Sequence, residues 1–335
     1  CSNCYEGGYV YGGEKLVGIE DMGHSVYAVG TWSAWSTYEE MVQTSDGAYE
    51  VEITLGDTRT EEFYLVIAKD KHRAIYPQAR RASQKVRVAG PSHSNNGKTW
   101  LIDGRKDGKN AGTVYKIRFE WDALKFVSWE ATCKPAPKVG HYKHAYYLSG
   151  SFNQWRPQKM QRDPKDPLAW QLSCRISAAG KESFHFLRNE DPKQTIYPLF
   201  ANPPPDGTVP VMGPSEGGLE KAWLIEGSPG ELATIRIGVA DGDIAVSWWS
   251  KSNERGSEWL SAPGGSTDLY FVTGSWDECR PEEMKRVPTS ASSSSSVYSC
   301  AFEIGCNEVE YFQIVVNADP DLRMYPANAN TAPGV

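Results

Sequence analysis

Apolar and polar residues alternate in short runs along this chain, and the runs recur. His24 to Trp35 reads HSVYAVGTWSAW, His144 to Trp155 reads HAYYLSGSFNQW, and Thr267 to Cys279 reads TDLYFVTGSWDEC. Alternation of period two puts successive side chains on opposite faces of a strand. Each segment therefore predicts a strand that runs into a small-residue turn at its glycine and then an aromatic. The spacing downstream is fixed. Tyr49, Trp170 and Tyr298 are followed 14 residues later by Phe63, Phe184 and Phe312, and 27 residues later by Tyr76, Tyr197 and Tyr325, each of which precedes a proline. Glu61, Glu182 and Glu310 stand two residues before the phenylalanines. Such agreement over three copies marks an internal repeat.

Two copies match further. Val86 to Ser92 parallels Val209 to Ser215, Trp100 to Gly104 parallels Trp223 to Gly227, and Val127-Ser128-Trp129 parallels Val246-Ser247-Trp248. The third copy stops at Val335, without the closing strands of the other two. It is expected to expose a sheet edge and an apolar face, which a longer chain or a partner would complete. About seven strand-like runs per full copy, separated by Gly and Pro turns, predict an all-β chain of three tandem immunoglobulin-like β-sandwich repeats, the third incomplete. The expected division is an N-terminal segment 1–20 and repeats 21–133, 140–251 and 265–335. Lys134–Lys138 and Ser252–Thr267 read as linkers, and Ser292–Ser296 as a loop ahead of a strand. Alternation groups Tyr49, Val51, Ile53 and Leu55 on one face, and likewise Trp170, Leu172, Cys174 and Ile176, then Tyr298, Cys300, Phe302 and Ile304. Cys174 and Cys300 thus take aliphatic positions and read as small buried hydrophobes.

Composition narrows the function classes. A net charge of −7 without a basic stripe argues against nucleic acid as a partner. No apolar stretch approaches the ~18 residues a membrane-spanning helix needs. Residue 1 is Cys, so the chain reads as processed or as a fragment. Seven irregularly spaced cysteines make no disulfide framework. Twelve tryptophans and 17 tyrosines, by contrast, are enough for several cores with aromatics left over.

Tyr147-Leu148-Ser149-Gly150-Ser151-Phe152-Asn153-Gln154-Trp155 resembles the opening of starch- and glycogen-binding modules, of the type found on AMP-activated kinase and on starch-branching enzymes. The resemblance extends to the Phe184-His185-Phe186 strand and to Tyr197-Pro198, where the family often has Asp-Pro; the Gly-Pro-Ser half of each repeat has no clear counterpart there. Exposed aromatics stack on the apolar face of a sugar, while amide and basic side chains bond its hydroxyls. The resemblance implies Trp155 as the first stacking residue, with Trp35 its match in the first repeat and Cys279 in the third. Where the family has a second tryptophan, this chain has Arg73, Gln194 and Leu322; where it has a lysine on the central strand, this chain has Tyr64, His185 and Gln313. The second repeat keeps most of the implied site, namely Asn153, Trp155, His185 and Gln194. Trp32 and Trp276, aligned with Phe152, read as core, as do Trp100, Trp129, Trp223 and Trp248 on their strands.

No nucleophile elbow, P-loop or dinucleotide fingerprint occurs. Cys1-Ser2-Asn3-Cys4 lacks the second pair a zinc site would need, and His141 and His144 fall on opposite sides of a strand, so neither a metal nor a cofactor is expected. The recurrence of Glu61, Glu182 and Glu310 in every copy predicts a repeated structural role. Two readings remain: a non-catalytic array that binds polysaccharide, and a structural repeat protein whose partners are other protein chains or further repeats.

Overall fold

The alternating segments form strands throughout. The computed structural model describes residues 25–137, 143–218, 220–254, 256–261, 270–277, 281–287, 297–304, 309–316 and 319–324. Segment 1–20, His141, Cys279, Cys306, the serine run and Tyr325-Pro326 lie outside the described residues. In the first module the strands are β1 (Val26–Gly30), β2 (Glu39–Glu40), β3 (Val42–Gln43), β4 (Tyr49–Thr54), β5 (Thr60–Ile67), β6 (Asp70–Pro77), β7 (Val88–Ser92), β8 (Trp100–Asp103), β9 (Val114–Trp121) and β10 (Lys125–Ala131). In the second they are β11 (Tyr146–Gly150), β12 (Gln158–Lys159), β13 (Gln161–Arg162), β14 (Ala169–Arg175), β15 (Lys181–Arg188), β16 (Thr195–Pro198), β17 (Val211–Ser215), β18 (Trp223–Glu226), β19 (Leu232–Ala240), β20 (Asp243–Ser250) and β21 (Ser257–Leu260). The third comprises β22 (Tyr270–Gly274), β23 (Glu282–Glu283), β24 (Lys285–Val287), β25 (Val297–Ser299), β26 (Phe312–Val316) and β27 (Asp319–Met324). Among the described residues no helix is long and apolar enough to cross a membrane.

Among the described residues every pair of strands is antiparallel, with two isolated parallel bridges besides, Ala82 to Trp100 and Val211 to Ser261. One sheet runs β2-β1-β5-β6-β7 with β8 also on β5, and faces a second sheet, β10-β9-β4-β3. The second module repeats this as β12-β11-β15-β16-β17, with β18 on β15, against β13-β14-β19-β20-β21. Between the sheets Phe63, Trp100, Ile117 and Phe119 fill the first core, and Phe184, Trp223, Ile235 and Val246 the second. The chain is thus built from β-sandwiches. One departure concerns Ser252–Thr267, which reads as a linker: Ser257–Leu260 instead extends the second sandwich as β21, and buried Trp259 donates its Nε1–H to the Pro204 carbonyl at 2.9 Å. Only Ser257 and Trp259 alternate inward there, a signal too short to separate from a polar linker.

The turn after the first strand keeps the same bridging bonds in each module. Gly30, Gly150 and Gly274 pair with Phe63, Phe184 and Phe312 across the sheet. A side chain on any of these glycines would collide with the aromatic two residues on, Trp32, Phe152 or Trp276, whose ring folds back over the backbone. A short 3₁₀ turn follows, and its first hydroxyl bridges two groups. Thr31 donates to the Glu61 carboxylate and accepts from the Glu62 N–H at 2.9 Å. Ser151 does the same for Glu182 and the Ser183 N–H at 2.9 Å, and Ser275 for Glu310 and the Tyr311 N–H at 3.0 Å. The second carboxylate oxygens of Glu61 and Glu182 accept the Gly56 and Ser177 N–H groups, at 3.0 and 2.8 Å. The recurring glutamates therefore tie a turn, a strand and a loop together.

A buried polar seam joins the first two modules. The Arg188 guanidinium donates to Thr58 Oγ1, to the Thr60 carbonyl at 2.8 Å and to Gln194 Oε1. Asn189 Nδ2 lies 2.9 Å from His144 Nδ1, and His144 Nε2 lies 2.9 Å from Glu61 Oε1. Burial works against the charge of Glu61, yet His144 and Arg188 outweigh it and hold the carboxyl below its ordinary value. Burial pushes the nearby Asp57 up, and its Oδ1 accepts the Tyr146 hydroxyl at 2.8 Å.

The third set of strands has counterparts of β1 to β6 but, among the described residues, none of β7 to β10. Its inner face is accordingly open. Phe312 is 55% exposed, whereas Phe63 and Phe184 lie under Trp100 and Trp223. Phe302 and Ile304 are exposed and Cys300 is half-buried, unlike buried Cys174, whose thiol burial pushes up to about 11. The expectation that Cys300 is a buried hydrophobe fails: the strand it follows, β25, pairs only with β24 among the described residues, with no counterpart of β9 beside it. The same repeat position should therefore respond in opposite ways. Phe184→Ala is expected to cost about 3–5 kcal/mol, and Phe312→Ala to stay within about 0.5 kcal/mol, in urea denaturation followed by tryptophan fluorescence.

Candidate functional site

In the first two modules the turn that the glutamate braces also aims a tryptophan. After the 3₁₀ turn the chain passes through two left-handed residues, Ala34 and Trp35 in the first module (φ 52° and 60°), Gln154 and Trp155 in the second (φ 57° and 59°). Non-glycine residues there cost roughly 1–2 kcal/mol each, so the surrounding bonds have to hold them. The Trp35 and Trp155 N–H groups donate back to the Gly30 and Gly150 carbonyls at 3.0 and 2.8 Å. Ser149 Oγ further donates to the Trp155 carbonyl at 2.9 Å. Each indole consequently lies over the outer face of its sheet, away from the core.

On the second module this makes a platform. Trp155 is 45% exposed, and its ring centroid lies 5.1 Å from that of His185, at 46°. His185 projects from β15 opposite Ser149. Burial pulls its imidazole down to about 4, so the ring is uncharged at neutral pH. An indole beside a neutral imidazole offers a flat surface with polar edges, suited to stacking against an apolar ring face.

The five residues singled out from sequence fall in two places. Trp155 and His185 form the platform, and Asn153 lies in the turn beneath it. The Asn153 amide is engaged inward: Oδ1 accepts the Gly150 N–H at 3.0 Å, and Nδ2 reaches the Leu148 carbonyl at 3.4 Å. Gln194 is buried in the seam between modules, its Nε2 donating to Glu62 Oε1 at 3.1 Å. Trp35 borders the same seam; it is half-buried, packs on Tyr64 at 5.7 Å, and donates its Nε1–H to Asp191 Oδ2 of the second module at 2.8 Å. Sequence reasoning missed His144, Arg188 and Asp191. The repeat does carry a signal for one of them, because Arg188 occupies the register position of core residue Ile67.

Of the other tryptophans, Trp100 and Trp223 are fully buried, and Trp276 stacks on Phe302 at 3.7 Å. Among the described residues no three His, Cys, Asp or Glu side chains gather as a metal site.

No family model and no curated protein matches the chain. Among solved structures, the crystal structure of SusF from Bacteroides thetaiotaomicron aligns with 75% of this chain at 13% identity and a TM-score of 0.24. The alignment covers 50% of that chain, so this protein spans half its length. So loose a superposition carries no weight in the argument.

The His185 environment predicts a pH dependence. Its folded pKa of about 4 lies below the ordinary 6.5, so its contribution to stability is fully present above pH 6.5 and is lost as pH falls toward 4. Melting curves between pH 7 and 4 should show wild type losing stability relative to His185→Gln across that window.

Proposed function

We propose that this chain is a non-catalytic carbohydrate-binding protein whose second module engages α-glucan polysaccharide through Trp155 and His185. The observation that carries the reading is the Trp155 indole, 45% exposed on a fully formed module and held there by a left-handed turn braced from below. An exposed indole in a strained, over-determined turn is more costly than a buried one, and strain of this kind concentrates where a surface is used. A glucan strand presents the complementary surface, with apolar ring faces for the indole and hydroxyls for the polar edges beside it. Single platforms of this kind bind weakly, and a polysaccharide that reaches more than one site gains by avidity. We take the modules to span 21–133, 140–251 and 265–335, with β21 added to the second.

A second reading, a structural repeat within a larger assembly, draws on the exposed Ile304, Val309 and Phe312 of the third module. Exposed apolar side chains of this kind are what a partner surface would cover.

Native gels cast with amylopectin or glycogen separate the two. Wild type should be retarded by at least one of these polysaccharides, and Trp155→Ala should migrate nearly as in a plain gel. Wild-type mobility unaffected by either polysaccharide would refute the glucan reading.

A further inference from the structure

Trp35 and Trp155 leave identical turns but meet different surroundings. Trp155 looks outward, whereas Trp35 borders a cleft of about 690 Å³ where the first two modules meet. That volume lies within the roughly 300–1,000 Å³ of small-ligand sites. The first module contributes Trp35, Tyr64, Asn95 and Gly97 to its lining; the second contributes Asp191, Lys193 and the Met212–Ser215 stretch of β17; Val316 and Leu322 of the third line it as well.

The chemistry of the lining selects a class of ligand. Five basic and four acidic side chains border the cleft, but they largely engage one another. Arg81 pairs with Glu62 and also donates to the Pro214 carbonyl at 2.9 Å. Arg80 and Lys193 share Glu216, and Arg105 holds Asp103 at 3.0 Å. Asp191 divides its oxygens between the Trp35 indole and the Lys193 N–H at 2.9 Å. Paired charges leave little net field to draw in a phosphate or a carboxylate. They do leave a dense lining of donors and acceptors beside one aromatic wall, the combination that suits a neutral polyhydroxylated ring compound.

We infer that the cleft between the first two modules is a second binding site, distinct from the Trp155 platform, that takes a short neutral oligosaccharide against Trp35. The ligand class rests on the function proposed above; the place in the fold does not. Because Asp191 of the second module fixes the indole of the first, the site is complete only while the two modules are docked. Trp35 is then a shared element of the pair, and its affinity for ligand follows the integrity of the seam.

Isothermal titration of the whole chain with maltoheptaose tests this, with thermal melts to establish folding. Wild type should bind at two sites, and Trp155→Ala should retain one. In the Trp155→Ala background, Trp35→Ala should weaken that site at least tenfold. Trp35→Phe should weaken it several-fold, since it keeps a stacking face but loses the bond to Asp191. Asp191→Ala should have a similar effect at unchanged fold.

The alternative outcomes separate the two claims. One site in wild type that vanishes in Trp155→Ala overturns the cleft and leaves the platform standing. One site that survives Trp155→Ala and vanishes in Trp35→Ala supports the cleft and removes the platform. Two sites, neither altered in Trp35→Ala, overturn the cleft, and the absence of any binding by wild type overturns both.

Discussion

A buried carboxylate bonded to a turn hydroxyl is the contact on which the rest of this structure depends. In each module a glutamate at the start of the central strand accepts from the threonine or serine that opens the 3₁₀ turn, and that hydroxyl accepts the next strand N–H. In the first two modules, where Glu61 and Glu182 are buried, removing either partner would leave a buried polar group unsatisfied, at a cost of about 1–3 kcal/mol. The bridge clamps the end of the first strand to the fifth, and so sets the conformation of the turn that carries the tryptophan. The exposed indoles are products of a buried bond.

In the first module the same carboxylate has a further task. Glu61 also faces His144 and Arg188 from the second module, so the group that braces one turn also anchors the neighbouring sandwich. Burying such charges is costly unless each is matched. Here the guanidinium, imidazole and carboxylate contact one another, and the two terminal guanidinium nitrogens donate to Thr58, Thr60 and Gln194, while buried Arg188 Nε has no hydrogen-bond partner. A polar seam of this kind has narrow geometric tolerance, which an apolar interface lacks. Contacts outside it act in the same sense: the Gly242 N–H donates to the Asp57 carbonyl at 2.9 Å, and the Ala111 N–H to Asp241 Oδ1 at 2.6 Å. The relative placement of the two modules therefore decides what surrounds Trp35.

One repeated turn thus has two outcomes. On the second module the indole stands beside a neutral imidazole and remains open to a ligand. On the first it is oriented by an aspartate of the next module and borders a cleft. The third module repeats the turn and its brace on an open sheet, where Phe302 takes the stack with Trp276 that belongs to a core.

The sequence by itself determined the strands, the repeat and the structural role of the glutamates. These depend on local alternation, on glycine, and on spacing along the chain, all of which a one-dimensional pattern records. It also marked Trp35 and Trp155 as equivalent, which their backbones are. Only the tertiary structure decided that they differ, because the difference arises from Asp191 and His185, contributed by other turns and strands. It likewise showed Asn153 bonded into its own turn and Gln194 buried in a seam, since a side chain's hydrogen-bond partners are not encoded by its position in an alternating run. The short strand Ser257–Leu260 is not legible along the chain, because two inward positions are too few to establish a period. The exposure of Phe312 stands between these cases: its place in the repeat is legible along the chain, but exposure is a property of what packs against a residue, and only three dimensions show that.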